Sequence, residues 1–430
     1  MLKTKIEQKS ARIGILGLGY VGLPLATEFA KAGFHVTGFE VDDRKVKSLA
    51  KGKSYIGDIS SDDLAPLVKA KTLTATTDFS RLRQMDVCII CVPTPLNKTK
   101  DPDISFISSS AKEIARSLHK DQLIVLESTT YPGTTRDFVL PLLEAKGLKV
   151  GKDVYLAFSP ERIDPGNTQY RLNNTPKIVG GVTPTCTELA SLLYGKVVQK
   201  VVPVSSPESA ELVKLLENTF RAVNIGLVNE MALICDRLGL NVWEVINAAR
   251  TKPYGFMPFY PGPGLGGHCI PVDPHYLSWK MKSLNFSARF IELASEINSH
   301  MPEFVVEKTM RALNDRKKAV NGASILILGV AYKANVSDVR ESPALDVIHL
   351  LQKQGATMTY HDPYVPSLRI GTRTYKSKPY SLKLLQSADA VIITTNHQSF
   401  KPQSILAAAR LVIDTRNLMQ GLSAKNLVRL

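Results

Sequence analysis

Residues 11–42 constrain the fold of this chain more than any other stretch. "ARIGILGLG" reads as a buried strand ending in a glycine turn, "YVGLPLATEFAKAGF" as a helix closed by Gly33, and "HVTGFEVD" as a second strand ending in acids. Two strands joined through a helix run parallel, and a unit of this length is the context a dinucleotide fingerprint requires. "GLGYVG" fits G-x-G-x-x-G. Gly17 permits the tight turn, Gly19 lets the backbone approach a pyrophosphate, and Gly22 lets helix and strand pack closely. The helix N-terminus then offers unpaired N–H groups and a positive dipole to phosphate. Glu40 stands where an acid takes the ribose hydroxyls, and its charge would repel a 2′-phosphate, so NAD is expected over NADP. Arg44 and Lys45 act in the opposite direction. A purely structural glycine turn is the alternative.

The runs "DVCIICVP", "LIVLEST" and "VYLAFSPE" continue the alternation of strands with helices, which implies a parallel sheet covered on both faces. The pattern changes at Pro207. "PESAELVKLLENTFRAVNIGLVNEMALICDRLGLNVWEVINAAR" is helical at 3.6 periodicity, and "SARFIELASEINSHMPEFVVEKTMRALND" reads as more helix interrupted at Pro302. From "ASILILGVAYK" a strand returns, and strand, glycine, helix, glycine, strand and acid follow in the order of the first half, without the full glycine fingerprint. The expected fold is α/β: two Rossmann-like doubly wound parallel-sheet domains joined by a central helical region. The expected limits are 1–206, 207–315 and 316–430, the last binding something other than the same dinucleotide.

Composition narrows the partners. The net charge of +15 favours anionic ligands such as nucleotides or phosphorylated sugars. The basic residues are scattered without aromatic interleaving, so no nucleic acid is expected. No apolar run approaches a membrane span, and "MLKTKIEQKS" lacks the apolar core of a secretory signal, so a cytoplasmic protein with no membrane partner is expected. The five cysteines are Cys88, Cys91, Cys186, Cys235 and Cys269. So sparse and odd a set argues against disulfides. Cys88 and Cys91, three apart on one strand, would face opposite sides of the sheet, and no metal is expected.

Other candidates stand at strand ends and on the helical run. Lys214 and Asn218, four apart, share a helix face, as a solvated lysine beside a polar residue also would. "ESTTYPGTT" and "SPERIDPG" each follow a strand, at the end where open α/β sheets bind ligands; Glu161 in the second is an acid–base candidate or an ordinary loop carboxylate. "GPGLGGHCIPVDP" combines backbone freedom, N–H groups open to phosphate, and Cys269. That thiol is either reactive near a helix N-terminus or a small buried hydrophobe. His268 is either its base or an ordinary loop histidine, and Asp273 is near enough to orient a neighbour.

Taken in order, "GLGYVGLPLA", "VPTPL", "EST", "SPE", "KLLENT", "GGHCIPVDP" and "GVAYKANVSDVRESPA" resemble the UDP-glucose/GDP-mannose dehydrogenase family over roughly residues 10 to 425. The resemblance implies a four-electron oxidation of a sugar C6 alcohol to a carboxylate with NAD. Cys269 would add to the C6 aldehyde, and the resulting thioester would be hydrolysed. Lys214 and Asn218 would stabilise the oxyanion, with Asp273 positioning a water or Lys214. Glu161 would be the general acid/base and Thr129 a polar contact to the catalytic water. Cofactor contacts would come from Gly17, Gly19, Tyr20, Val21, Gly22, Glu40, Lys45, Thr94, Thr129 and, from the C-terminal domain, Arg340. Substrate contacts would come from Glu161, Arg162, Lys214, Asn218, Phe259, Tyr260, Gly266 and Lys333.

Within the family, "FMPFYPGPGLGGHCIPVDPHYLSWK" and "SPERIDPGN" are most similar to the branches acting on UDP-N-acetylglucosamine and UDP-N-acetylmannosamine. The UDP-glucose branch usually has serine at His268 and a second glutamate at Pro165. UDP-N-acetylglucosamine is therefore the expected substrate, with UDP-N-acetylmannosamine or UDP-glucose as alternatives. Family members commonly dimerise through the central helices, so a homodimer is expected; Arg250 is a candidate to cross to the partner's substrate. A two-electron dehydrogenase would not need Cys269. A catalytically inactive NAD-binding regulatory protein would not need to retain Lys214, Asn218, Cys269 and Asp273 together.

Overall fold

The computed structural model describes residues 2–430 except 58, 98–100, 164–166, 168, 268 and 372. His268 and Pro165 lie outside the described residues. The chain divides into two compact units: residues 1–217 with 275–286, and residues 218–274 with 287–430.

The first unit is built on an eight-stranded sheet. Its strands are β1 (Arg12–Leu16), β2 (His35–Phe39), β3 (Leu73–Thr76), β4 (Val87–Ile90), β5 (Leu123–Leu126), β6 (Tyr155–Phe158), β7 (Lys177–Gly181) and β8 (Val201–Val204). They lie in the order β3-β2-β1-β4-β5-β6-β7-β8. The order reverses between β1 and β4, which opens the crevice where such sheets take ligands. Strands buried on both faces need apolar residues at every position. Accordingly Ile13, Ile15, Val87, Ile89 and Val125 enter one core, and Leu16, Cys88, Ile90, Ile124 and Leu126 the other. Cys91 joins the core opposite to that of Cys88. Burial pushes the Cys88 thiol up to about 12 and the Cys91 thiol well above its ordinary value.

Two strands depart from the all-parallel expectation, because β8 runs parallel to β7 and both run against the other six. β7 pairs antiparallel with β6, in the register Ala157↔Gly181 and Phe158↔Gly180. No helix intervenes among the described residues between these strands, so the chain returns without the crossover a parallel pair requires.

The second unit contains a five-stranded sheet. β9 (Ser324–Leu328), β10 (Thr357–His361), β13 (Ala390–Ile393), β14 (Val412–Asp414) and β15 (Leu427–Arg429) lie in the order β10-β9-β13-β14-β15, all parallel. An antiparallel hairpin, β11 (Ser367–Ile370) with β12 (Arg373–Lys376), was not anticipated from the sequence.

Helix Pro207–Leu238 runs 32 residues without a break and stops where Gly239 takes a positive φ of 68°. Helix Arg289–Asn314 passes through Pro302, where an interruption was expected. Proline removes the N–H that would bond the Asn298 carbonyl. The helix survives because Pro302, Met301 and Val305 are buried, and the Asn298 side chain is tied to Asn229 (2.8 Å) and to the Ala222 carbonyl (3.1 Å). Among the described residues no helix is long and apolar enough to cross a membrane.

Candidate active site

The fingerprint glycines have distinct structural reasons. Gly17 has φ 90°, and a Cβ there would lie 2.7 Å from the Cys91 carbonyl oxygen. A Cβ on Gly22 would lie 1.9 Å from the Gly17 carbonyl oxygen, so helix Gly22–Lys31 could not close on β1. Gly19 has nothing within 4 Å of its Cβ position, which leaves the space a diphosphate needs at the helix start. Tyr20 is exposed beside it and Val21 half-buried.

Glu40 is buried at the end of β2, and its carboxylate is locked to the glycine turn. Oε2 accepts from Leu18 N–H (3.1 Å) and Lys45 Nζ (3.0 Å); Oε1 accepts from Val41 N–H (3.0 Å) and Asp42 N–H (3.2 Å). Lys45 is thus paired with Glu40, and Arg44 is paired with Asp42 at 2.8 Å. The two cations that argued for a 2′-phosphate are already engaged, and the space and charge of this crevice fit NAD.

The ends of β4, β5 and β6 carry the other candidates of the first unit. The Thr94 carbonyl accepts from Tyr276 Oη at 2.9 Å. Thr129 is half-buried in the loop after β5. Glu161 follows β6, and its Oε1 accepts from the N–H groups of Arg162 and Ile163, both at 2.7 Å. Its Oε2 meets Lys177 Nζ at 3.1 Å. Burial alone would raise this carboxyl, but the Lys177 ammonium and those N–H groups outweigh it and hold Glu161 below the ordinary carboxylate value. The Arg162 guanidinium is held by Glu217 (2.6 Å) and the Pro176 carbonyl (2.6 Å).

Glu211, not anticipated from the sequence, ties the "TTYPGTT" loop to the long helix one turn before Lys214. It accepts from Gly133 N–H (2.7 Å), Thr135 N–H (2.9 Å) and Thr135 Oγ1 (2.7 Å). Burial pushes its carboxyl up to about 7 against these hydrogen bonds. Lys214 is half-buried and has no ion pair among the described residues.

In the second unit, Asn218 Nδ2 donates to Asp273, which is buried at the first position of helix Asp273–Lys282. The Cys269 carbonyl accepts from the N–H groups of Val272 (3.1 Å) and Asp273 (2.7 Å), so this cysteine caps the turn leading into that helix. Cys269 is partly exposed, whereas the other four cysteines are buried.

The glycine run before Cys269 is packed closely by its surroundings. Two of its N–H groups are engaged within the unit: Gly262 N–H donates to Asn229 Oδ1 (3.0 Å) and Gly267 N–H to the Arg340 carbonyl (3.0 Å). A Cβ on Gly266 would lie 2.7 Å from Tyr332 Cβ, and one on Gly264 would lie 3.3 Å from the Asn298 carbonyl oxygen beside Pro302. The run is bare so that the loop can lie against the Tyr332–Pro343 segment and the proline-containing helix.

Lys333 is half-buried in that segment, and the Arg340 guanidinium pairs with Asp338 at 2.6 Å. Asp362, at the position after β10 that matches Glu40, accepts from Val330 N–H (2.7 Å) and Ala331 N–H (3.1 Å). His397 Nδ1 accepts from Asn335 N–H (2.9 Å), so its Nε2 carries the proton and donates to Asp362 (3.0 Å). Phe259 packs edge-on to Phe220, and Tyr260 stacks on Trp243 and accepts from Arg250 (3.0 Å). A cavity of about 320 Å³ is lined by Trp243, Arg250, Tyr260, Asn396, Arg416 and Asn417. Burial lowers the Arg416 guanidinium to about 10, and among the described residues it has no acidic partner.

Comparison with known proteins identifies the family and the fold. Residues 11–198 match the NAD binding domain of the UDP-glucose/GDP-mannose dehydrogenase family, residues 208–300 its central domain and residues 326–421 its UDP binding domain. A UDP-N-acetyl-D-glucosamine 6-dehydrogenase of Pseudomonas aeruginosa is 35% identical over 91% of this chain and 92% of its own. An NDP-N-acetyl-D-galactosaminuronic acid dehydrogenase of Ralstonia solanacearum is 35% identical over 98% of this chain and 99% of its own. The solved structure of a UDP-D-ManNAc dehydrogenase from Pyrococcus horikoshii superposes with a TM-score of 0.89 at 34% identity, covering 97% of this chain and 98% of that one. With all three domains matched in order, the chain belongs to the UDP-glucose/GDP-mannose dehydrogenase family and is an NAD-dependent nucleotide-sugar dehydrogenase.

Proposed function

We propose that this enzyme oxidises the C6 alcohol of a UDP-N-acetylhexosamine, UDP-N-acetylglucosamine foremost, to the uronic acid in two hydride transfers. The observation that carries the reading is the turn that binds Cys269 to Asp273 and, through Asp273, to Asn218, which lies one helical turn after Lys214. When bound, NAD+ supplies the hydride acceptor for each two-electron step. After the first step the Cys269 thiol adds to the C6 aldehyde, giving a thiohemiacetal; loss of the second hydride leaves a thioester. A single thiol thereby retains a reactive aldehyde between the two oxidations. Lys214 and Asn218 stabilise charge on the former carbonyl oxygen, and Asp273 fixes the amide of Asn218. Glu161, held ionised, accepts a proton from the water that attacks the thioester; the C–O bond forms, the C–S bond breaks and the thiol is regenerated. Lys333 and Arg416 supply cations for the diphosphate.

The relatives named for N-acetylglucosamine support the choice of sugar, and the fold similarity to the N-acetylmannosamine enzyme keeps that epimer as the second reading. A panel of UDP-N-acetylglucosamine, UDP-N-acetylmannosamine, UDP-N-acetylgalactosamine and UDP-glucose with NAD+, read as NADH absorbance, tests it. The highest kcat/KM is expected for UDP-N-acetylglucosamine, by a modest margin over its epimers of roughly 10–200-fold, the range of one pocket contact. A clear preference for UDP-glucose would sink the assignment.

We also propose a homodimer. Phe220, Leu227, Ile234 and Leu238 are exposed along one face of the long helix, a row that a second copy would cover. Sedimentation at micromolar concentration should give twice the chain mass, and a monomer would refute this.

A further inference from the structure

The antiparallel return of β7 places a lysine where neither motif nor spacing marks one. Extending the register Phe158↔Gly180 by three residues along each strand puts Glu161 opposite Lys177. The parallel pairing of β5 with β6, Leu126↔Phe158, brings Glu127 to the same place. Lys177, 4% exposed, therefore lies between Glu127 Oε1 (3.2 Å) and Glu161 Oε2 (3.1 Å).

We propose that Lys177 is a positioning residue for Glu161: wedged between two carboxyl groups, it aims the Glu161 Oε2 and supplies the positive charge that keeps this carboxylate a proton acceptor. The inference rests on the reading of Glu161 as the base in thioester hydrolysis.

The two carboxyls are not equivalent. Glu127 is fully buried, its Oε1 is hydrogen-bonded by Tyr194 Oη, and its Oε2 has no hydrogen-bond partner. Glu161 keeps 12% of its side chain exposed, and two N–H groups fill its Oε1. One buried ammonium faces two buried carboxyls, and burial favours the acid form more in the less hydrogen-bonded of the two. Burial accordingly raises Glu127, while Glu161 is lowered. Among the described residues, the ionisable groups around Glu161 are Lys177 on β7, Glu127 after β5, Cys91 after β4, Tyr194 on helix Pro184–Tyr194, and Arg162 beside it. The Cys91 and Tyr194 groups are both pushed well above their ordinary values and stay neutral, and Arg162 is paired with Glu217. Among the described residues, Lys177 is the cation that contacts the Glu161 carboxylate.

The test is the pH dependence of thioester release, read after brief pH jumps by quenching and mass measurement from about pH 3 to about pH 9, a range that spans the ordinary carboxylate value and both sides of it. In the wild type the acid limb should lie below neutrality, because release is lost only as pH falls through the lowered Glu161 pKa. Lys177→Met should move that limb upward by about one pH unit or more, and Lys177→Arg should return it. Should Lys177→Met fail to fold, Glu127→Gln/Lys177→Met removes one buried carboxyl as well and should show the same displacement. A limb that stays in place in these variants, or a fall in rate at every pH without displacement, would overturn the inference. Glu161→Gln separates the two readings. If it slows release while Lys177→Met leaves the limb unmoved, only the role of Lys177 falls; if it releases at the wild-type rate, both fall.

Discussion

Cys269→Ala should abolish uronic acid formation, by roughly 10³-fold or more in turnover, while NAD+ binding is retained. The thiol and the dinucleotide turn belong to different compact units, so removing one sulfur leaves Gly17, Gly19, Gly22 and Glu40 as they are. No other cysteine can substitute. Cys88, Cys91, Cys186 and Cys235 are all buried, and burial holds the first two thiols far above neutrality. Without the thiol the first oxidation can still proceed, but its aldehyde has no covalent anchor and no route to a thioester. Calorimetric titration with NAD+ and chromatography of the sugar products together check the result. Undiminished sugar acid from the alanine variant would remove Cys269 from the mechanism.

Much of the fold was legible because the relevant signals are local. A strand, a glycine turn and a helix within residues 11–34 imply a parallel unit, and the uninterrupted periodicity from Pro207 to Leu238 implies the long helix. The glycine roles at Gly17, Gly19 and Gly22 were legible for the same reason: each follows from φ or from distances inside one turn. What escaped depends on partners distant in sequence. Pro302 reads as a break until its buried surroundings and the Asn298 anchors are known. The glycines at 262–267 read as backbone freedom with N–H groups open to phosphate, and their close packing against Tyr332, Asn298 and Arg340 could not be read from spacing. The direction of β7 is set by a connection without a crossover helix, which periodicity does not reveal. Lys177 was missed as a consequence, because that direction brings it to Glu161, and Glu127 was missed because its link to Glu161 runs through Lys177. Glu211 looks like one more helix acid until its bonds to Gly133 and Thr135 are seen.

The second large effect concerns release of product. Glu161→Gln keeps the shape of the side chain but removes the anion facing Lys177 and the acceptor for water's proton. Both hydride transfers precede that proton transfer, so they should persist. The variant should give a burst of about two NADH per active site and then a steady rate well below that of wild type. Acidification of the wild type should mimic the variant, because Glu161 is held low and its base form is lost only as pH falls through that lowered value.

Intact-mass measurement of Glu161→Gln quenched during the slow phase tests the account most directly. A species heavier by one acylated sugar nucleotide should dominate, and proteolytic mapping should place it on Cys269. An unmodified chain accompanied by two NADH per site would contradict a covalent intermediate, and an adduct on any other residue would contradict the choice of Cys269.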